Sequence, residues 1–215
     1  GAPQADAVFP LDALRKETVP VKGAIHRVVR NTPIDLIVDE NADSVASGEP
    51  ELVPGVVGKA LRFDQEYDLV FLRTAGQFEV NEPFSAGAWI ATEVSGENQS
   101  VMGISGELLN AWKGWDFFLD RSNRLSIRLT GYWPHNYLQV TTGQSLTPGA
   151  WHHVAFTYDG LGRASGVRLF IDGQAAETTT DYDELYRTIV HSWNAQEGWP
   201  QKPVMVGRSG RFYTG

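Results

Sequence analysis

Apolar and polar residues alternate with a period of two through much of this chain. In "RLSIRLT", Leu125, Ile127 and Leu129 fall on one side and Ser126, Arg128 and Thr130 on the other; in "GVRLFIDGQ", Val167, Leu169 and Ile171 share a side. Alternation of this kind predicts half-buried antiparallel strands. Asp172-Gly173 closes the second run with a dipeptide suited to a type I′ turn, whose two central residues both need positive φ. The same reading predicts strands near 58–64, 67–72, 84–94, 100–105, 115–121, 123–131, 136–142, 151–158, 166–172, 174–179 and 203–208, with an N-terminal strand near 6–11. "LDALRKE" (11–17) and "DYDELYRTIV" (181–190) are the two short helical candidates. Many short strands joined by frequent turn signals predict an all-β fold, an antiparallel two-sheet β-sandwich or jelly roll, formed by one domain over residues 1–215.

Composition narrows the choice of partners. The chain has 215 residues, 42% of them apolar, enough for one large β core. A formal net charge of −8 argues against nucleic acid, since phosphate binding draws on clustered Lys and Arg. No apolar run approaches the roughly 18 residues of a membrane span. There are no cysteines, which excludes disulfides, thiolate zinc sites and a cysteine nucleophile. "GAPQADAVFP" has neither the basic region nor the apolar stretch of a signal peptide.

"LTPGAWHHVAFTYDG" (146–160) holds the one His-His pair in the chain. On a strand, Trp151, His153, Ala155 and Thr157 point one way and His152, Val154, Phe156 and Tyr158 the other. The two imidazoles then face opposite sides of the sheet and cannot ligate one metal. The expectation is that one packs with Trp151 and the other is hydrogen-bonded or solvated.

These residues also carry a resemblance. "PGAWHHVAFTYDG" followed by "GVRLFIDG" is similar to the signature of the LamG-like jelly-roll domains of the concanavalin A-like lectin/glucanase superfamily. "VPGVVGKALRFD", "EPFSAGAWI" and "KPVMVGRS" resemble other strands of that family, in the same order. The stretch "RLTGYWPHNYLQVTTGQSLTPGAWHHVAFTYDGLGRASGVRLFIDG" is similar, more closely, to the jelly-roll domain of planctomycete-type cytochrome c multidomain proteins. The resemblance implies a lectin-like module of an exported bacterial protein, placed outside the cytoplasm, with glycan or neighbouring domains as partners. It also implies a further strand of the form Ile-Asp-Glu-Val-Arg-Ile-Tyr after "RFYTG"; either that strand follows the residues given or the sheet is completed differently, and an uncovered edge there would be open to pairing. In that family the loop before "GKAL" often carries a structural Ca²⁺. Here that loop, "VDENADSVASGEP", offers the hard oxygens of Asp39 and Asp43, beside Glu40 and Asn41; an acidic surface loop is the alternative.

Catalysis finds little support. Glucanases of the superfamily place acids at i, i+2 and i+4 on one strand; "EYDLVF" supplies Glu66 and Asp68 and then Val70. Asp181, Asp183 and Glu184 read as a solvated face or a cap, and no Gly-x-Ser-x-Gly elbow is present. The expectation is therefore no enzyme. Binding is the leading function, either of glycan or, without sugar, of a protein partner, with a degenerate or novel glycosidase as the last alternative. "GYWPHNY" gathers Tyr132, Trp133, His135, Asn136 and Tyr137 around a proline, and "NAWKGWDFF" adds Trp112 and Trp115; Tyr132, Trp133, His135, Asn136, Trp112 and Trp115 are the six candidate ligand-binding residues. Arg128 is a further candidate hydrogen-bond donor. Trp193 and Trp199 form a third aromatic loop, whereas Trp89 and Trp151 read as core.

Overall fold

The computed structural model describes residues 51–64, 68–72, 77–105, 111–190 and 204–207, together with the backbone of three strands nearer the N-terminus. These three are β1 (Leu14–Pro20), β2 (Pro33–Asp39) and β3 (Ser44–Ser47). β4 (Glu51–Pro54) and β5 (Lys59–Arg62) form a two-stranded hairpin of their own. β6 (Leu69–Leu72), β7 (Phe84–Ile90), β8 (Gln99–Gly103), β9 (Gly114–Leu119), β10 (Arg124–Tyr132), β11 (Asn136–Ser145) and β12 (His152–Tyr158) follow. The last four are β13 (Val167–Ile171), β14 (Gln174–Ala175), β15 (Thr178–Asp183) and β16 (Val204–Val206).

All pairings are antiparallel. The larger sheet has the order β1-β2-β3-β6-β16-β8-β9-β10-β11-β15 and the smaller β14-β13-β12-β7. The period of two decides how they stack. Trp115, Phe117, Leu119, Leu125, Ile127, Leu129, Leu138 and Val140 of the large sheet meet Phe84, Val154, Phe156, Tyr158, Val167, Leu169 and Ile171 of the small one in one cluster. Phe156 sits at the centre, fully buried, with ring centroids 5.0 Å from Phe117, 5.5 Å from Phe84 and 5.8 Å from Trp115. The Asp172-Gly173 turn forms as expected, with φ of 52° and 78°.

Several expectations change. Residues 14–17 of the helical candidate 11–17 belong to β1. The strand expected near 6–11 lies outside the described residues. The second helical candidate, 181–190, is strand up to Asp183 and irregular afterwards. The segment finds tertiary partners in place of helical ones: Glu184 N–H donates to Tyr137 O, and the Asp183 side-chain carboxylate accepts from Ala164 N–H at 2.7 Å. The strand expected over 174–179 is two strands in different sheets, since the chain leaves β14 and enters β15 within two residues. Trp89 and Trp151 are 47% and 37% exposed and do not join the core. Trp89 shares the outward parity of Ser85 and Gly87, while Phe84, Ala86, Ala88 and Ile90 turn inward. Asp68, expected at the surface, is buried and accepts from Asp64 N–H at 3.1 Å; Glu66 is outside the described residues.

Because Phe156 contacts both sheets, Phe156→Ala should lower the unfolding free energy by about 3–5 kcal/mol. Chemical denaturation followed by tryptophan fluorescence measures this, and a loss below about 1 kcal/mol would contradict the packing described.

Candidate functional site

The site grows from the polar parity of β10. The residues of β9, β10 and β11 that do not face the core form a second face, which carries Asp116, Phe118, Ser126, Arg128, Thr130, Tyr137, Gln139 and Thr141. Register sets them in rows. Arg128 lies opposite Asp116 on β9 and Gln139 on β11, and Gln139 opposite Tyr182 on β15. Ser126 lies opposite Phe118 and Thr141.

Arg128 is buried, which for a guanidinium demands close partners. Its Nε donates to Gln139 Oε1 at 2.7 Å. Its guanidinium carbon lies 5.2 Å from the Phe118 ring centroid, 5.1 Å from that of Trp133 and 6.0 Å from that of Tyr137. Burial pulls its pKa below the ordinary value, while the charges of Asp116 and Asp181 and the Tyr137 hydroxyl act in the opposite sense. An arginine stays protonated in such surroundings. Hydrogen bonds continue outward: Gln139 Nε2 and Thr141 Oγ1 both donate to Asp181 Oδ2, and Ser126 Oγ lies 2.8 Å from Thr141 Oγ1.

Aromatic rings line the accessible side of this network. Trp133, Tyr137 and Tyr182 are half-buried and stand in file, with centroids 4.6 Å apart for the first pair and 4.1 Å for the second, which is stacked. Beyond the hairpin tip, Arg187 lies 5.7 Å from the ring of Tyr132 and 6.0 Å from that of Tyr186; these rings are 47% and 69% exposed.

The six residues singled out in the sequence therefore separate. Tyr132 and Trp133 belong to the aromatic surface, and His135 is exposed at the tip, its N–H bonded to Tyr132 O. Trp112 is half-buried in a left-handed turn whose neighbour Ala111 accepts from Trp133 N–H at 2.9 Å, so the turn abuts the hairpin. Two assignments are corrected. Trp115 is 2% exposed and faces the core, because its parity is that of Phe117 and Leu119. Asn136 is buried, with Nδ2 donating to Glu184 O at 2.9 Å and Oδ1 accepting from Arg187 N–H at 3.1 Å; its amide is spent on the main chain. Gly131 makes room for this bridge, since a Cβ there would lie 2.3 Å from Asn136 Oδ1. Tyr182, Tyr186 and Arg187 join this surface with no signal in their own stretch of sequence. "TTTDYD" carries no alternation of apolar and polar residues, and only the register of β15 with β11 sets Tyr182 beside Gln139.

For the calcium candidates, Asp39 ends β2, and Glu40, Asn41 and Asp43 lie outside the described residues. So do Trp193 and Trp199. Among the described residues, no group of three or more His, Asp or Glu side chains is placed to hold a metal.

A family model described as the concanavalin A-like lectin/glucanases superfamily matches residues 64–199, more than half of the chain. The chain belongs to the concanavalin A-like lectin/glucanase superfamily. A search of curated proteins finds no match. Among solved structures, the chain is similar to the CBM40 of the Ruminococcus gnavus IT-sialidase, at 14% identity and a TM-score of 0.45, over 62% of this chain and 70% of that one. The same CBM40 bound to α2,3-sialyllactose gives 13%, 0.44, 65% and 69%. The endo-1,3-β-glucanase of Streptomyces sioyaensis gives 9%, 0.40, 90% and 76%.

In this concanavalin A-like domain the two adjacent histidines do face opposite ways. His152 Nδ1 lies 2.8 Å from Asp172 Oδ2. His153 packs edge-on against Trp89, its cross-strand partner, with centroids 5.4 Å apart, and not against Trp151. Asp172 also accepts from His153 N–H at 2.9 Å, so one carboxylate binds both neighbours. The hydrogen bond with His152, followed by that from the His153 amide, holds the Asp172 carboxyl below its ordinary 3.8. Its contribution to stability is complete above that pH and is lost as the pH falls through the depressed value. Asp172→Asn should flatten the acid limb of a stability–pH curve below about pH 4. Thermal melts across pH 2–7 measure it, and an unaltered acid limb would refute the assignment.

Proposed function

We propose that this chain is a non-catalytic glycan-binding domain that takes its ligand along the β10–β11 hairpin and β15. The file Trp133–Tyr137–Tyr182, with the fixed guanidinium of Arg128 beside it, carries the reading. Pyranose rings present an apolar face to an aromatic ring and hydroxyls around their rim. A surface that alternates rings with fixed donors and acceptors matches both.

Magnitudes support a composite site. A millimolar ligand requires about 4 kcal/mol, and one aromatic contact supplies roughly 0.5–1.5 kcal/mol beyond area burial. Several rings and several polar groups are needed, and the hairpin offers both: Tyr132, Trp133, Tyr182 and Tyr186 beside Gln139, Asp181 and Arg187. Engagement of the acids supports the absence of catalysis. Asp181 already accepts from Gln139 and Thr141, and Asp116 is buried opposite Arg128. A glycosidase needs one carboxyl group as proton donor and another free to attack or to activate water. The proposal extends to a location outside the cytoplasm, where glycans are displayed; no helix among the described residues is long and apolar enough to cross a membrane.

Affinity electrophoresis through soluble polysaccharides, with a glycan array to widen the search, tests the reading. The chain should be retarded by at least one glycan without cleaving it. Trp133→Ala should abolish retardation and Tyr186→Ala should weaken it, both variants melting within a few degrees of the parent. Unchanged retardation of Trp133→Ala would remove this surface as the site. Absence of binding to every glycan would favour a domain that contacts only protein.

A further inference from the structure

We propose a second saccharide-binding site on the outer face of the small sheet, where a short run of pyranose rings lies across β7, β12 and β13. This face belongs to the other layer of the sandwich and shares no residue with the β10–β11 surface. Register builds it in rows. Trp89 on β7 stands opposite His153 on β12. Gly87 stands opposite Ala155, and Ala155 opposite Phe170 on β13. Ser85 stands opposite Thr157, and Thr157 opposite Arg168. The residues that alternate with these, among them Val154, Phe156 and Leu169, turn inward to the core.

The rows differ in kind. At one end Trp89 is 47% exposed in the folded chain, and Trp151, two residues before His153, is 37% exposed. His153 braces the Trp89 indole edge-on, with centroids 5.4 Å apart, and Asp172 in turn holds the His153 N–H at 2.9 Å. In the middle, Gly87 and Ala155 raise almost no side chain, and a Cβ at Gly87 would lie 3.0 Å from that of Ala155. The face is low there, with half-buried Phe170 beside it. At the far end, exposed Ser85, Thr157 and Arg168 supply two hydroxyls and a guanidinium. Tryptophan is highly buried on average, and open indoles rimmed by polar groups mark a contact surface.

Size and chemistry select the occupant. Ser85 and Trp89 are four residues apart on a strand, roughly 13 Å, and three strands are roughly 10 Å across. That area is several times smaller than the roughly 800 Å² that each partner of a stable protein pair buries. An extended peptide gains its affinity from main-chain hydrogen bonds at a sheet edge, which a sheet face does not offer. A wholly apolar ligand would strip water from Ser85, Thr157 and Arg168 and return no hydrogen bond. A sugar chain meets both demands: its ring faces lie on the indoles and over the low middle row, and its rim hydroxyls reach the polar row. With fewer rings than the hairpin, this site is the weaker one. It strengthens retention on a polymer through avidity and does not sustain it alone.

Fluorine NMR of fluorotryptophan-labelled chain reads the site directly, with Trp89→Phe and Trp151→Phe assigning the two resonances. The probes are laminarihexaose, cellohexaose, xylohexaose and mannohexaose, each titrated into the millimolar range. At least one should shift the Trp89 and Trp151 resonances, and should still do so in the Trp133→Ala background. There, Trp89→Ala should weaken binding roughly ten-fold or more. Ser85→Ala/Thr157→Ala, which alters only exposed hydroxyls, should weaken it at an unchanged melting temperature. If the Trp89 and Trp151 resonances shift while no polysaccharide retards the chain in electrophoresis, the hairpin reading falls and this one stands. If the Trp133 resonance responds and these two stay still, this proposal falls alone. Resonances unmoved by all four sugars, or shifts indifferent to Ser85→Ala/Thr157→Ala, would likewise overturn it.

Discussion

Every second side chain of β9, β10 and β11 belongs to a dry interior, and the residues between them have to satisfy one another. That division is the constraint on which the rest depends. On one side Phe117, Ile127 and Leu138 meet Phe156 in the sandwich core. On the other, a buried guanidinium must find an acceptor, and the acceptor must itself be fixed. Gln139 serves Arg128 through its oxygen and reaches Asp181 through its nitrogen, which draws β15 into the arrangement. Shifting β10 by one residue would drive Arg128 into the core and Ile127 out of it, at a cost no loop could offset.

Seen this way, the two faces of the large sheet are not independent. Phe118 lies under the Arg128 guanidinium, and its neighbours Phe117 and Leu119 are core residues. The core residues hold β9 where the polar row needs it. The hairpin tip depends on the same rigidity at one remove, because Trp133 reaches the guanidinium from the turn that joins β10 to β11 and Tyr137 from the start of β11.

What could be read from the sequence follows from how locally each feature is determined. Leu125-Ile127-Leu129 and Val167-Leu169-Ile171 alternate within one strand, and Asp172-Gly173 makes its turn from two residues, so these were legible. β1 and β2 were missed because "LRKETVP" and "PIDLIVD" mix charge and proline into short runs, so that pairing rather than pattern defines them. "DYDELYRTIV" looks like a capped helix because its acids suit a first turn; contacts with Tyr137, Asn136 and Ala164, far away in sequence, override that preference. Half of the site was legible for a similar reason. Tyr132 and Trp133 announce themselves in one turn, whereas Tyr182 and Arg187 join them only through the register of β11 with β15 and the bridge from Asn136. Trp115 stands beside a loop in the sequence, yet its parity with Phe117 and Leu119 turns it into the core.

The Asn136 bridge has one more effect. Its two hydrogen bonds tie the tip of β10–β11 to the segment carrying Tyr186 and Arg187, so that segment is immobilised when the chain folds. The entropy of ordering the surface then falls on folding and not on association. Any ligand bound there would meet a rigid relief, and the ordering left to be done would be the ligand's own, which favours stiff, extended molecules over floppy ones.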